Sequence, residues 1–170
     1  EQKGVDRLIN WVASMDTVAN LLIIGRGEER AKLESMIESK SLNGYAKIID
    51  FQDNPFPYMS IADAVLLGSR WEGLPNVALE ALALGKRVVA TAGCGGLLDM
   101  KKILDDEAVV IAESDEAYIS ALNLISVQSY SCRNRKKSEK RNSQLADSKL
   151  PSNYNLDLVM KEYEAAIFGR

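Results

Sequence analysis

The feature that most constrains this chain is a regular alternation of two spacings. Short unbroken apolar runs occur at "NLLIIG" (20–25), "YAKIIDF" (45–51), "DAVLLGS" (63–69), "KRVVAT" (86–91) and "EAVVIA" (107–112). Each is too short for a buried helix and is rich in Val, Ile and Leu, the signature of a strand covered on both faces. Between them lie stretches with helical spacing. "KGVDRLINWVASM" places Val5, Leu8, Ile9, Val12 and Met15 on one side, and "EERAKLESMIESKSL" is amphipathic. "PFPYMSIA" predicts a short helix opened by Pro55 or Pro57, and "PNVALEALALG" a helix opened by Pro75 and ended by Gly85. "GCGGLLDMKKIL" reads as a Gly-rich loop and short helix, and "SDEAYISALNLI" as a helix with Ser114 as its N-cap. Strand and helix in strict alternation predict an α/β fold, a Rossmann-like parallel sheet with helices on both faces.

The alternation stops near residue 129. Residues 1–128 form the expected domain, and 129–150, "SYSCRNRKKSEKRNSQLADSKL", is a polar basic segment, read as a linker or a solvated helix. Contact of "RNRKKSEKR" with a membrane surface is the alternative for that stretch. "LDLVMKEYEAAI", within 151–170, is expected to be a last helix packing back on the domain. The chain opens on Glu1 directly before a helical pattern, which reads as a piece of something longer.

Composition removes several classes of function. The net charge of −3 offers no basic field for a nucleic-acid backbone. With no His among 170 residues, the commonest general base and the commonest zinc ligand are both missing. Cys94 and Cys132 form no C-x-x-C pair and read as free thiols in a reducing compartment. No apolar run approaches the ~20 residues that span a bilayer.

In an open parallel sheet, ligands sit beyond the carboxyl ends of the strands. "IIGRGEER" has Gly25 and Gly27, but Arg30 occupies the third glycine position of a dinucleotide fingerprint, so NAD is not supported. A tight turn accounts for the two glycines equally well. Gly85-Lys86 fails as a Walker A loop, because Glu80 stands at the upstream glycine position and Arg87 replaces Ser or Thr.

The loop 68–75 says more. Gly73 permits close backbone approach and Pro75 opens a helix. The free N–H groups of Gly73, Leu74, Asn76 and Val77, with the helix dipole, make an anion site. The neighbouring "GCGG" turn (93–96) faces the same crevice, and the two could hold a diphosphate between them. Glu72 stands at the strand end. Glu80 lies about five residues into the helix, roughly 7 Å along its axis. Carboxylates accept hydrogen bonds from sugar hydroxyls in pairs. Two of them flanking a diphosphate site match the layout of a nucleotide sugar: ribose, diphosphate, hexose. The purely structural alternative has Glu72 capping the helix and Glu80 paired with a nearby Lys or Arg.

These residues resemble a known family. Glu72-Gly-Leu-Pro-Asn-Val-Ala-Leu-Glu80 is similar to the E-x7-E motif of retaining glycosyltransferases of family 4, of the GT-B type. "KGVDRLI", "LLIIGRGEERAKLE" and "FQDNPFPYMSIADAVLLGSRWEGLPNVALEALALGKRVVAT" extend the resemblance, most closely to the polysaccharide and glycan-assembly branch, whose members transfer hexoses and N-acetylhexosamines. It covers residues 1–127 well and the tail loosely.

The resemblance implies the C-terminal, donor-binding half of a two-domain enzyme. By position it implies Glu72 on the donor hexose and Glu80 on the ribose. Amides of Gly73, Leu74, Asn76 and Val77, and of Gly95, Gly96 and Leu97, would contact diphosphate and sugar. Lys3 would neutralise the diphosphate, and the base would stack near Phe51 in the 49–52 turn. Glu72 and Lys3 are thereby the candidate catalytic residues. It also implies no metal and no cofactor, a UDP-linked donor, and a glycan or lipid-linked acceptor held by the other domain. Nucleic acid is not an expected partner. The expected location is cytoplasmic, with peripheral association at the inner face of the membrane.

The chain departs from the family in three places. The family's Gly-Arg pair before the Lys3 position is absent from the sequence. The 93–99 turn reads "GCGGLLD", with Asp99 near the usual acid. Asp50 stands where glycine is common. Two alternatives remain open at this point: a non-catalytic nucleotide-sugar-binding module, and a related sugar-nucleotide epimerase. The latter needs acid–base residues at the sugar carbon, for which no His or evident carboxylate pair is present.

Overall fold

The computed structural model describes residues 1–104 and 107–136. Eleven elements alternate as expected: α1 (Val5–Ala13), β1 (Leu21–Ile24), α2 (Arg30–Ser39), β2 (Ala46–Ile49), α3 (Phe56–Ile61), β3 (Ala64–Leu67), α4 (Asn76–Ala83), β4 (Arg87–Thr91), α5 (Gly95–Lys101), β5 (Val109–Ala112) and α6 (Asp115–Lys136). All strand pairs are parallel. The hydrogen-bonded ladder falls into two pieces, β1–β2 and β3–β4–β5. The pieces share a core, since Leu21, Ile23 and Ile48 from the first pack in one cluster with Leu66, Val89 and Ala112 from the second.

The apolar runs are unbroken because both faces are covered. Along β4, Val89 faces the cluster formed with α1, α2 and α6, whereas Val88 and Ala90 face the cluster formed with α4 and α5. Neighbouring side chains on a strand point to opposite faces, so burying both requires apolar residues at every position. Tyr118 of α6 is fully buried, stacks on Trp11 of α1 with ring centroids 4.0 Å apart, and donates its hydroxyl to the Val89 carbonyl at 2.9 Å. Burial pushes this phenol far above its ordinary value.

The helix ends follow local chemistry. Ser114 Oγ accepts from the Ala117 amide at 3.2 Å and so caps α6. Pro55 precedes α3. Gly85, at φ 68°, ends α4, and the Lys86 amide reaches back to the Ala81 carbonyl at 2.8 Å, closing a Schellman turn. α6 continues through Lys136, so residues 129–136 of the polar basic segment are helical rather than linker. The remainder of that segment and the expected helix at 156–167 lie outside the described residues. Among the described residues, no helix is long and apolar enough to cross a membrane.

Candidate functional site

The loops after β3 and β4 are joined beyond the ends of their strands. The Glu72 amide donates to the Gly93 carbonyl at 2.8 Å. The Gly95 and Gly96 amides donate to the carbonyls of Glu72 and Gly73, each at 3.1 Å. This pairing brings Cys94 opposite Glu72. The close approach depends on glycine at 96, where a methyl group would lie 2.7 Å from Leu74 Cβ and 2.9 Å from its Cα.

The N-terminal segment lies against the same loop. The Arg70 amide donates to the Gln2 carbonyl at 2.9 Å, and Gln2 Nε2 donates to the Trp71 carbonyl at 3.0 Å. The Arg70 guanidinium clasps Asp6 through two bonds, at 3.0 and 2.6 Å, and also reaches the Glu1 carbonyl at 2.7 Å. The hydrogen bonds from Arg70 hold the Asp6 carboxyl below its ordinary value. Gly4 sits at φ 60° and meets Gly68 backbone to backbone. These contacts set Lys3 beside Glu72.

Glu72 is held from two sides. Its Oε1 forms an ion pair with Lys3 Nζ, and its Oε2 accepts a hydrogen bond from Ser69 Oγ at 2.8 Å. Burial pushes the carboxyl up, but the bonds from Lys3 and Ser69 and the charge of Lys3 together outweigh it, and Glu72 lies below its ordinary value. The carboxylate side chain is 15% exposed and that of Lys3 63% exposed, so the pair opens to solvent on the lysine side. Beneath it, Ser69, Thr91 and Cys94 are buried, and Thr91 Oγ1 donates to the Ser69 carbonyl. Burial and the nearby negative charge of Glu72 raise the Cys94 thiol above its ordinary value.

The expected site residues fall into four groups. Lys3, Glu72, Gly73 and Leu74 come together with the start of α4. Among the described residues, the amides of Gly73, Leu74, Asn76 and Val77 have no backbone acceptor; the last two belong to the first turn of α4, where a helix leaves its amides without partners. Gly95, Gly96 and Leu97 lie in the facing turn after β4. Their amides donate to the Glu72, Gly73 and Cys94 carbonyls, so this turn props the 72–74 loop. Glu80 is only 6% exposed and is engaged with another group in the protein. Phe51 follows β2, is exposed and has the Arg26 guanidinium 5.5 Å from its ring centroid. The turn holding Gly25 and Gly27 is tight, with the Arg30 amide donating to the Gly27 carbonyl at 3.3 Å. Arg30 pairs with Asp50 and Glu34.

Sequence reasoning missed Ser69 and Thr91. The signal for Ser69 was the spacing "SRWE", which has the form of a capping box. The helix starts only at Asn76, so here the serine binds the glutamate side chain directly. A hollow of about 400 Å³ lined by Leu21, Leu22, Tyr45 and Lys47 lies at the amino ends of β1 and β2. It is remote from the carboxyl-end loops and brings no group of charged residues together.

The parallel sheet flanked by helices is the fold of GT-B glycosyltransferases. HepE of Anabaena, solved in complex with UDP and glucose, superposes with a TM-score of 0.67 at 17% identity, covering 99% of this chain and 46% of that one. The sequence matches the family Glycosyl transferases group 1 over residues 1–143, and the chain belongs to that family. It is 35% identical over 95 residues to the lipopolysaccharide core biosynthesis glycosyltransferase LpsE of Rhizobium meliloti, covering 56% of this chain and 28% of the relative. It is 31% identical over 108 residues to the N-acetylgalactosamine-N,N'-diacetylbacillosaminyl-diphospho-undecaprenol 4-alpha-N-acetylgalactosaminyltransferase of Campylobacter jejuni, covering 64% of this chain and 29% of the relative. The matched stretch thus spans under a third of these two curated relatives.

Proposed function

We propose that this chain is the donor-binding half of a retaining, family 4 type glycosyltransferase. The donor is a UDP-linked hexose or N-acetylhexosamine, and the acceptor is a glycan or lipid-linked saccharide bound by the other half of the enzyme. The observation that carries this reading is the Lys3–Glu72 pair beside the amides at the start of α4 that have no backbone acceptor. A cation, a carboxylate and a helix N-terminus side by side suit a ligand combining a diphosphate with sugar hydroxyls. The UDP complex of HepE and the undecaprenol-linked acceptor named for the Campylobacter relative support the choice of ligands.

In this reading Lys3 turns from Glu72 to the diphosphate when the donor enters. The α4 amides and Lys3 then stabilise the charge that builds on the leaving diphosphate, as preorganised donors do. Glu72, released at Oε1, accepts from hexose hydroxyls. The acceptor attacks from the face the nucleotide leaves, and the anomeric configuration is retained. No metal takes part. The enzyme works at the cytoplasmic face of a membrane, held there peripherally. Glu80 serves the ribose through the small part of its surface that stays accessible.

The test is a calorimetric titration with UDP, UDP-glucose, GDP, ADP and NAD, with and without EDTA, repeated on Glu72→Ala. UDP binding that EDTA leaves unchanged is expected. The variant should bind UDP normally and a UDP-sugar weakly. Preference for NAD, or loss of binding on chelation, refutes the proposal.

A further inference from the structure

Glu72 is the acid on which the donor reading turns, and its two oxygens are held differently. Oε1 is bound by Lys3, which is 63% exposed and comes from the N-terminal segment. Oε2 is bound by Ser69, which is 2% exposed and lies on the same loop three residues earlier. A solvent-exposed lysine is a strongly hydrated cation on a flexible stem and exchanges partners readily. A buried hydroxyl at 2.8 Å does not. The Ser69 backbone is itself fixed, since its carbonyl accepts the Thr91 hydroxyl from the end of β4, and Thr91 is 5% exposed. The hydrogen bonds thus run from β4 through Thr91 and Ser69 to the carboxylate.

We infer that Ser69 is the positioning residue for Glu72, with Thr91 as its support. The inference rests on the donor-binding reading above. When Lys3 moves to a diphosphate, Ser69 is the hold that remains. It keeps one carboxylate oxygen fixed and leaves the other aimed at the ligand. Without it, a mostly buried carboxylate that has lost its cation turns away or takes up a proton, because burial disfavours its charged form. The titratable groups acting on this site are Lys3 on one side and the Cys94 thiol on the other.

The experiment follows the Glu72 side-chain carbon by NMR through a pH titration of the whole chain. Wild type, Ser69→Ala, Ser69→Thr, Thr91→Val and Lys3→Ala are compared, and each variant's affinities for UDP and UDP-glucose are measured alongside. Ser69→Ala should raise the pH at which Glu72 titrates, because a bond favouring the carboxylate is lost. It should weaken UDP-glucose about tenfold while leaving UDP within about twofold, the loss expected from one charge-assisted hydrogen bond. Ser69→Thr should restore both. Thr91→Val should shift both readouts the same way by less, and it carries the test if Ser69→Ala fails to fold. Glu72 titrating unchanged in a folded Ser69→Ala chain, or in folded Thr91→Val should Ser69→Ala not fold, overturns the inference. If wild type binds neither UDP nor UDP-glucose, the donor reading falls, and the titration still decides whether Ser69 holds Glu72.

Discussion

Replacing Gly4 by alanine tests whether the N-terminal segment is held in place by backbone contact. Gly4 has φ 60°, and a methyl group there would lie 2.7 Å from the Gly68 carbonyl carbon and nearer still to its oxygen. A left-handed backbone costs a non-glycine residue about 1–2 kcal/mol. Overpacking against fixed backbone adds about 1–3 kcal/mol. The sum is about 2–5 kcal/mol, unless the segment relieves it by peeling away from the 68–71 loop. Either response disturbs the placement of Lys3. In a chain of this size each kcal/mol moves Tm by about 2–4 °C. Gly4→Ala should therefore melt roughly 5–15 °C lower by circular dichroism, or melt normally while losing affinity for UDP. Gly73→Ala is the control, because nothing lies within 4 Å of a methyl group there. It should keep wild-type Tm and interfere only with a ligand. A Gly4→Ala chain with wild-type Tm and wild-type UDP affinity would refute the reasoning.

Glu80→Ala removes a buried, engaged carboxylate. It should lower stability in urea by about 1.5–3 kcal/mol, so any loss of nucleotide affinity must be read beside that measurement. Tyr118→Phe removes the hydroxyl bonded to the Val89 carbonyl and should cost about 1 kcal/mol, a few degrees in Tm, with ligand binding intact. The ionised Glu72 should give a pH signature. Its folded value lies below the ordinary 4.5, so its contribution to stability is complete above that pH and is lost as pH falls through the folded value. The gap in Tm between wild type and Glu72→Gln should accordingly close on acidification below about pH 4.5. A gap that stays constant from neutral to strongly acidic pH contradicts the pairing with Lys3 and Ser69.

Much of the architecture was legible because local patterns dictate it. Val88, Val89 and Ala90 had to be apolar in succession to be covered from two sides. Ser114 and Gly85 carry cap chemistry that acts within a single turn. The 72–74 loop with its glutamate could be placed from Gly73 and Pro75 alone. What escaped the sequence depends on residues distant along the chain. The glycines at 95 and 96 read as a ligand-contacting turn, since nothing local shows that the 72–73 carbonyls would take their hydrogen bonds. Glu80 reads either as a ribose ligand or as the partner of a Lys or Arg, and its burial in α4 beside Ala78 and Ala81 is decided only by tertiary packing. Ser69 and Thr91 are 22 residues apart, and their bond exists only once β3 and β4 lie side by side. The reach of α6 to Lys136 was hidden by its polar composition, which suits a solvated helix and a linker equally.

The bridging of the 72–73 and 93–96 loops has a consequence for how this site can change. The two loops behave as one cassette. Three main-chain bonds tie them together, and the fit of Gly96 against Leu74 leaves no room for drift. A chimaera that imports the first loop from a relative with a different donor, while keeping the second, inherits a mismatched seam. On the proposed donor-binding reading, specificity should be portable only when both loops are transplanted together, and sequence drift in one should be tracked by compensating change in the other.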